Sequence, residues 1–185
     1  MAVFPVTSRR NFLRAAIASA AAASLHSASP AFGAATQSAT RRLRFRHTHT
    51  NERLDVVYWR HGNYLQTALT QINELLRDFR TEDTHAIDPA LLDLLHEVYV
   101  QTGSNGEYEI ISGYRSPETN AMLRSRSRSV AKRSMHMEGK AIDIRLTDVP
   151  LSVVQETALS LKQGGVGYYP KSNFVHLDTG RPRFW

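Results

Sequence analysis

Residues 134–144 read SMHMEGKAIDI, and this stretch anchors the reading of the whole chain. From Lys140 to Leu146 the pattern KAIDIRL alternates, which predicts a short strand. In such a strand Ala141, Asp143 and Arg145 share one face, and Ile142, Ile144 and Leu146 share the other. Asp143 therefore faces away from the apolar side. His136 precedes the strand in a loop and folds back over Asp143 if Gly139 permits the bend. Two ligands do not make a metal site, because catalytic zinc usually takes three protein ligands and leaves a fourth position to water. His176 in FVHLDTG is the third candidate, on a predicted strand where it shares a face with Phe174 and Asp178. The residues alone also fit a hydrogen-bonded histidine and a turn aspartate, so spacing leaves both readings open.

Working outward, RLRFRHTHTNERLDVVYW (42–59) alternates on either side of a polar turn and predicts a hairpin. NYLQTALTQINELLRDFR (63–80) puts Leu65, Leu69, Ile72, Leu76 and Phe79 on one helical stripe. Asp88 and Pro89 start a second helix, whose apolar face carries Leu91, Leu95 and Val98. EYEIISGYR predicts a strand that leaves through Gly113, and Ser116 and Pro117 open another helix. A helix from Val149 to Gln163 stops at Gly164-Gly165, and GVGYY and NFVHLDT form the last two strands around a turn at 170–173. This layout is α+β, with a small antiparallel sheet and flanking helices, and not a regular βαβ winding.

Composition narrows the chemistry. The chain of 185 residues has no cysteine, so disulfides, thiolate metal ligands and cysteine nucleophiles are excluded. Residues 1–35 carry Arg9-Arg10 before Asn11-Phe12-Leu13, then an alanine-rich apolar run, then small residues. That order predicts an export signal of the twin-arginine type, too short to span a membrane, with residues 36–185 as the working domain. Its three arginines and absent acids account for half of the formal charge of +6, leaving +3 for the rest. So mild a charge argues for no specific polyanion, and the arginine-serine run Arg124 to Ser129 is too short for a nucleic-acid domain. It reads as a loop before SMHMEG. His47 and His49 read as surface or cleft residues; Tyr168 and Tyr169 read equally as cleft or core aromatics.

Four words occur in order: SGYRSPETN (112–120), SMHMEGKAID (134–143), GGVGYY (164–169) and FVHLDTG (174–180). Together they resemble the YcbK-like murein endopeptidases of the Hedgehog/D-alanyl-D-alanine zinc peptidase superfamily. The family pattern S-x-H-x-x-G-x-A-x-D is matched by Ser134, His136, Gly139, Ala141 and Asp143, and the closing RPRFW and the 47–65 region extend the likeness. The resemblance implies Zn2+ held by His136, Asp143 and His176, and a substrate-binding, oxyanion-steadying role for Arg115. It implies a peptidoglycan peptide as substrate and the periplasm or cell envelope as the place of work. Several relatives carry an acid three residues before the final histidine, where this chain has Asn173. The nearest carboxylate is Asp178, expected as the general base or, alternatively, as a group that orients a histidine ligand. Rival readings are a carboxypeptidase on the same site, a non-catalytic peptidoglycan-binding protein with a metal site, and a polyanion-binding envelope protein.

Overall fold

The structure, a computed structural model, describes residues 40–127 and 130–185. The expected export signal at 1–35 lies outside the described residues, as do Arg128 and Ser129 of the arginine-serine run. Among the described residues, no helix is long and apolar enough to cross a membrane.

The predicted hairpin forms. β1 (Thr40–His47) pairs antiparallel with β2 (Arg53–Arg60), and a two-residue β3 (Asn63–Tyr64) adds to β2. Alternation buries Leu43, Phe45 and His47 on one side of β1 and leaves Arg42, Arg44 and Arg46 on the other. Helix α1 (Gln66–Leu75) follows and stops earlier than its apolar stripe suggests. Asp78 ends it. Its buried carboxylate accepts hydrogen bonds from Arg80 N and Ser116 N, which fixes residues 77–83 as a loop. Phe79 leaves the stripe and stacks on His49 at 4.2 Å.

Helix α2 (Pro89–Gln101) begins as its cap predicts, with Asp88 accepting from Ala90 N. β4 (Tyr108–Ser112) then lies parallel to β1, and α3 (Pro117–Arg126) starts from Ser116, whose hydroxyl accepts from Thr119 N. A 3-10 turn (Met135–Glu138) leads into β5 (Ala141–Leu146). After α4 (Leu151–Leu161) come β6 (Gly165–Tyr169), β7 (Phe174–Asp178) and a short β8 (Arg183–Phe184).

The eight strands form one sheet in the order β3-β2-β1-β4-β5-β7-β6-β8. The α+β class holds, but the sheet is larger than expected and mixed rather than antiparallel. β1–β4 and β6–β8 are the parallel pairs. A parallel pair needs a crossover, and α1 with α2 supplies one between β1 and β4. One sheet face presents Phe45, Tyr58, Tyr108, Ile110, Ile142, Ile144, Val175 and Leu177 to the core that α2 and α4 complete through Leu91, Leu95, Val98, Val154 and Ala158. The other face carries Asp143 and His176, and that division is what makes a site possible.

Candidate metal centre

Register brings the candidate ligands together. Ser112, Asp143, His176 and Gly167 stand side by side on β4, β5, β7 and β6. His136 comes from the 3-10 turn, and Gly139 makes the bend back to β5 with φ +65°. The same glycine passes so close to Ala86 O that an added Cβ would collide with it. Gly139→Ala is expected to cost about 2–4 kcal/mol, summing left-handed strain and overpacking. Chemical denaturation checks this, and an unchanged midpoint would contradict it.

Three donor atoms converge. His136 Nε2 lies 3.2 Å from His176 Nδ1 and 3.3 Å from Asp143 Oδ1, and His176 Nδ1 lies 2.8 Å from Asp143 Oδ1. Tetrahedral zinc with bonds of about 2.0–2.2 Å separates its ligands by roughly 3.3–3.6 Å. One of the three spacings falls in that range, a second is about 0.1 Å short of it, and the third needs to widen by about half an ångström. Among the described residues these three form the cluster of histidines and acids close enough to share an ion.

The opposite ring nitrogens support the same geometry. His136 Nδ1 lies 2.8 Å from Gly113 O, a carbonyl that only accepts, so Nδ1 carries the hydrogen and leaves Nε2 a lone pair. His176 Nε2 lies 3.2 Å from Asp178 Oδ2, so a hydrogen held there leaves Nδ1 as the nitrogen that faces Asp143 and His136. Carboxylate and carbonyl partners behind imidazoles are the usual way to fix ligand tautomers.

Electrostatics follows from burial and charge. Burial lowers the pKa of His136. Burial also raises Asp143, but the two histidines outweigh it and hold its carboxyl well below the usual carboxylate range. Burial lowers His176, yet its hydrogen bonds to Asp143 and Asp178 prevail and push it up to about 9.

Asp178 sits behind His176, with Oδ2 3.2 Å from Nε2. It is fully buried, and it is not among the residues that line the cleft. Oδ1 accepts from Gly165 N, Gly180 N and Arg183 Nη1, while Oδ2 takes Arg183 Nη2 at 2.6 Å and faces His176. Both oxygens are engaged, an arrangement that suits the alternative expectation, orientation of His176. Asn173 does not line the cleft either. It caps the 170–172 turn at φ +55°, and its carbonyl faces Arg145.

Arg115 does line the cleft, with its side chain only 12% exposed. Its contacts are loose: Asn120 Oδ1 and Ser112 Oγ at 3.5 Å, and Asp143 Oδ2 at 3.8 Å. Each exceeds the ~2.7–2.9 Å of a good charge-assisted bond. Its Nε is buried without a partner. The guanidinium therefore retains donors for an incoming anion. The loop that carries it is pinned by Tyr114 N to Leu76 O at 2.8 Å and Arg115 N to His136 O at 3.2 Å.

The cleft, about 390 Å³, also takes Arg133, Tyr169, Phe174, Arg183 and Trp185. Of the two ambiguous tyrosines, Tyr169 faces the cleft and Tyr168 packs on the core. Sequence reasoning gave Arg183 and Trp185 no role. The one available signal was their place in the RPRFW ending. His47 corrects the surface expectation: it is buried, its Nδ1 accepts from His49 N and Thr50 N, and burial pushes it down to about 4. Arg124 to Arg126 close α3 rather than forming a loop.

The profile of the family described as peptidoglycan L,D-endopeptidase MepK matches residues 35–185. The chain is 42% identical over 156 residues to the peptidoglycan L,D-endopeptidase MepK of Escherichia coli K12, covering 84% of this chain and 86% of that one. It is 47% identical over 144 residues to the probable peptidoglycan L,D-endopeptidase MepK of Haemophilus influenzae Rd, covering 77% of each.

Proposed function

The chain belongs to the peptidoglycan L,D-endopeptidase MepK family, and on that premise we propose that it is an exported, zinc-dependent endopeptidase that hydrolyses peptide cross-links in peptidoglycan. Residues 36–185 form the peptidase domain, and residues 1–35 direct export, by the twin-arginine route, to the periplasm or cell envelope. The observation that carries the reading is the convergence of His136 Nε2, Asp143 Oδ1 and His176 Nδ1 at the floor of a cleft that Arg115 enters with unsatisfied donors.

His136, Asp143 and His176 would hold the zinc. Bound there, zinc supplies Lewis acidity, which polarises a carbonyl and makes water nucleophilic near neutral pH. The protein does the rest by position. Arg115 binds a substrate carboxylate or the developing oxyanion, and its fixed fork suits either task. Gly113 O and Asp178 hold the two imidazoles in one tautomer each. Arg183 holds Asp178 in turn; burial opposes its ionisation, and the hydrogen bonds to His176, Arg183 and Gly180 N outweigh that and keep the carboxylate ionised.

Digestion of purified cross-linked peptidoglycan dimers, with and without a chelator, tests the function. Release of monomers that stops on chelation supports it. Free D-alanine from monomeric stems would assign carboxypeptidase action instead, and binding without any cleavage would leave a non-catalytic cell-wall protein.

The assignment of Asp178 has its own test. Asp178→Asn is expected to weaken zinc affinity about 10–100-fold, with activity recovered in excess zinc. Loss of a general base would leave affinity intact and would not respond to added metal.

A further inference from the structure

Trp185 is built into the cleft with more care than a surface residue needs. Its N donates to Val166 O at 3.2 Å, and its O accepts from Tyr168 N at 3.1 Å, so the backbone continues the edge beside β6. Its indole lies over Gly167, where an added Cβ would come within 2.8–2.9 Å of three ring atoms. Only glycine lets a ring approach the sheet that closely. The indole Nε1 donates to the Tyr169 hydroxyl at 2.6 Å, and the Arg183 guanidinium sits 5.0 Å from the ring centroid. The His176 ring is 5.3 Å away, and Tyr169 stacks in turn on Phe174 at 4.6 Å. Held on all these sides, the residue still leaves 48% of its surface exposed. A propped, half-exposed aromatic beside a reaction centre is a contact surface for ligand.

The sheet register says which part of a ligand meets it. Gly167, His176, Asp143 and Ser112 form one row across β6, β7, β5 and β4. Trp185 stands over the Gly167 end, and Arg115 reaches the Ser112 end. Three strand spacings separate those ends by about 14 Å, the reach of roughly four extended residues. The metal-ligand residues lie between them. A peptide laid along this row places an anionic group at Arg115, an amide over His176 and Asp143, and apolar carbons against the indole.

We propose that Trp185, propped by Tyr169 and Arg183, is the wall of a substrate subsite. It takes the aliphatic side-chain carbons of the residue on the opposite side of the scissile amide from the carboxylate that Arg115 binds. The inference rests on the peptidase reading and adds to it a specificity-determining residue. Tyr169 and Phe174 extend the wall, and Gly167 provides the space for it.

Steady-state kinetics on a soluble cross-linked dimer test the subsite. Trp185→Ala is expected to raise KM about tenfold while kcat stays within threefold and zinc content is unchanged. Trp185→Phe restores most of the loss. An unchanged KM, or a fall in kcat accompanied by loss of zinc, overturns the proposal. A second measurement leaves position 185 intact. The chain has two tryptophans, so Trp59→Phe makes Trp185 the sole tryptophan, which excitation at the red edge of indole absorption isolates from the tyrosines. Titrating this protein with the monomeric stem peptide released by cleavage is expected to shift its emission in a saturable way. Cleavage of dimers with no emission response removes the subsite and leaves the peptidase reading standing. A saturable response in a protein that cleaves nothing supports the subsite and removes the peptidase reading.

Discussion

His136→Ala is expected to reduce both bound zinc and dimer hydrolysis to background. His136 is 3% exposed, and its ring joins two functions. Nε2 is one of the three converging donors, and Nδ1 donates to Gly113 O at 2.8 Å on the loop that carries Arg115. Alanine removes one of the converging donors and leaves that carbonyl buried without its partner, a cost of about 1–3 kcal/mol. Two of the converging donors, on Asp143 and His176, remain, one fewer than a catalytic zinc site ordinarily uses. Metal analysis and activity on the same sample check this. Full hydrolysis by the variant would contradict the ligand assignment.

Arg115→Ala is expected to lower kcat/KM about 10²–10³-fold with zinc content unchanged. The side chain already pays the desolvation of burial, which lowers its pKa, and receives only loose contacts in return. A group so arranged gains most when an anion arrives. Arg115→Lys is expected to recover little, because an ammonium cannot fork onto two oxygens. Activity within threefold of the parent would reduce Arg115 to a helix-entry residue.

The candidate site was legible in the sequence as far as strand alternation and the motif words reach. Parity in KAIDIRL places Asp143 on the open face whatever the neighbours are, and Gly139 announces the bend that returns His136 to it. The roles beyond the ligands depended on pairings between distant residues. Asp178 follows His176 by two residues and looks free to act as a base; only the fold shows Arg183 and the amides of Gly165 and Gly180 closing on it. Trp185 reaches the cleft because β8 runs parallel to β6, a pairing that its two residues do not encode. The same limit applies to β1 and β4. Each reads as a strand alone, but their parallel contact is set by the crossover through α1 and α2. Phe79 fits a helical stripe locally and loses it because Asp78 has a stronger tertiary engagement with Ser116.

The most direct test of the central claim is a zinc titration of the chelator-stripped protein, with cleavage of cross-linked dimers followed at each addition. The expected curve rises with bound zinc and levels at one equivalent per chain, with monomers as products. Full cleavage by the stripped protein before any metal is added would contradict it.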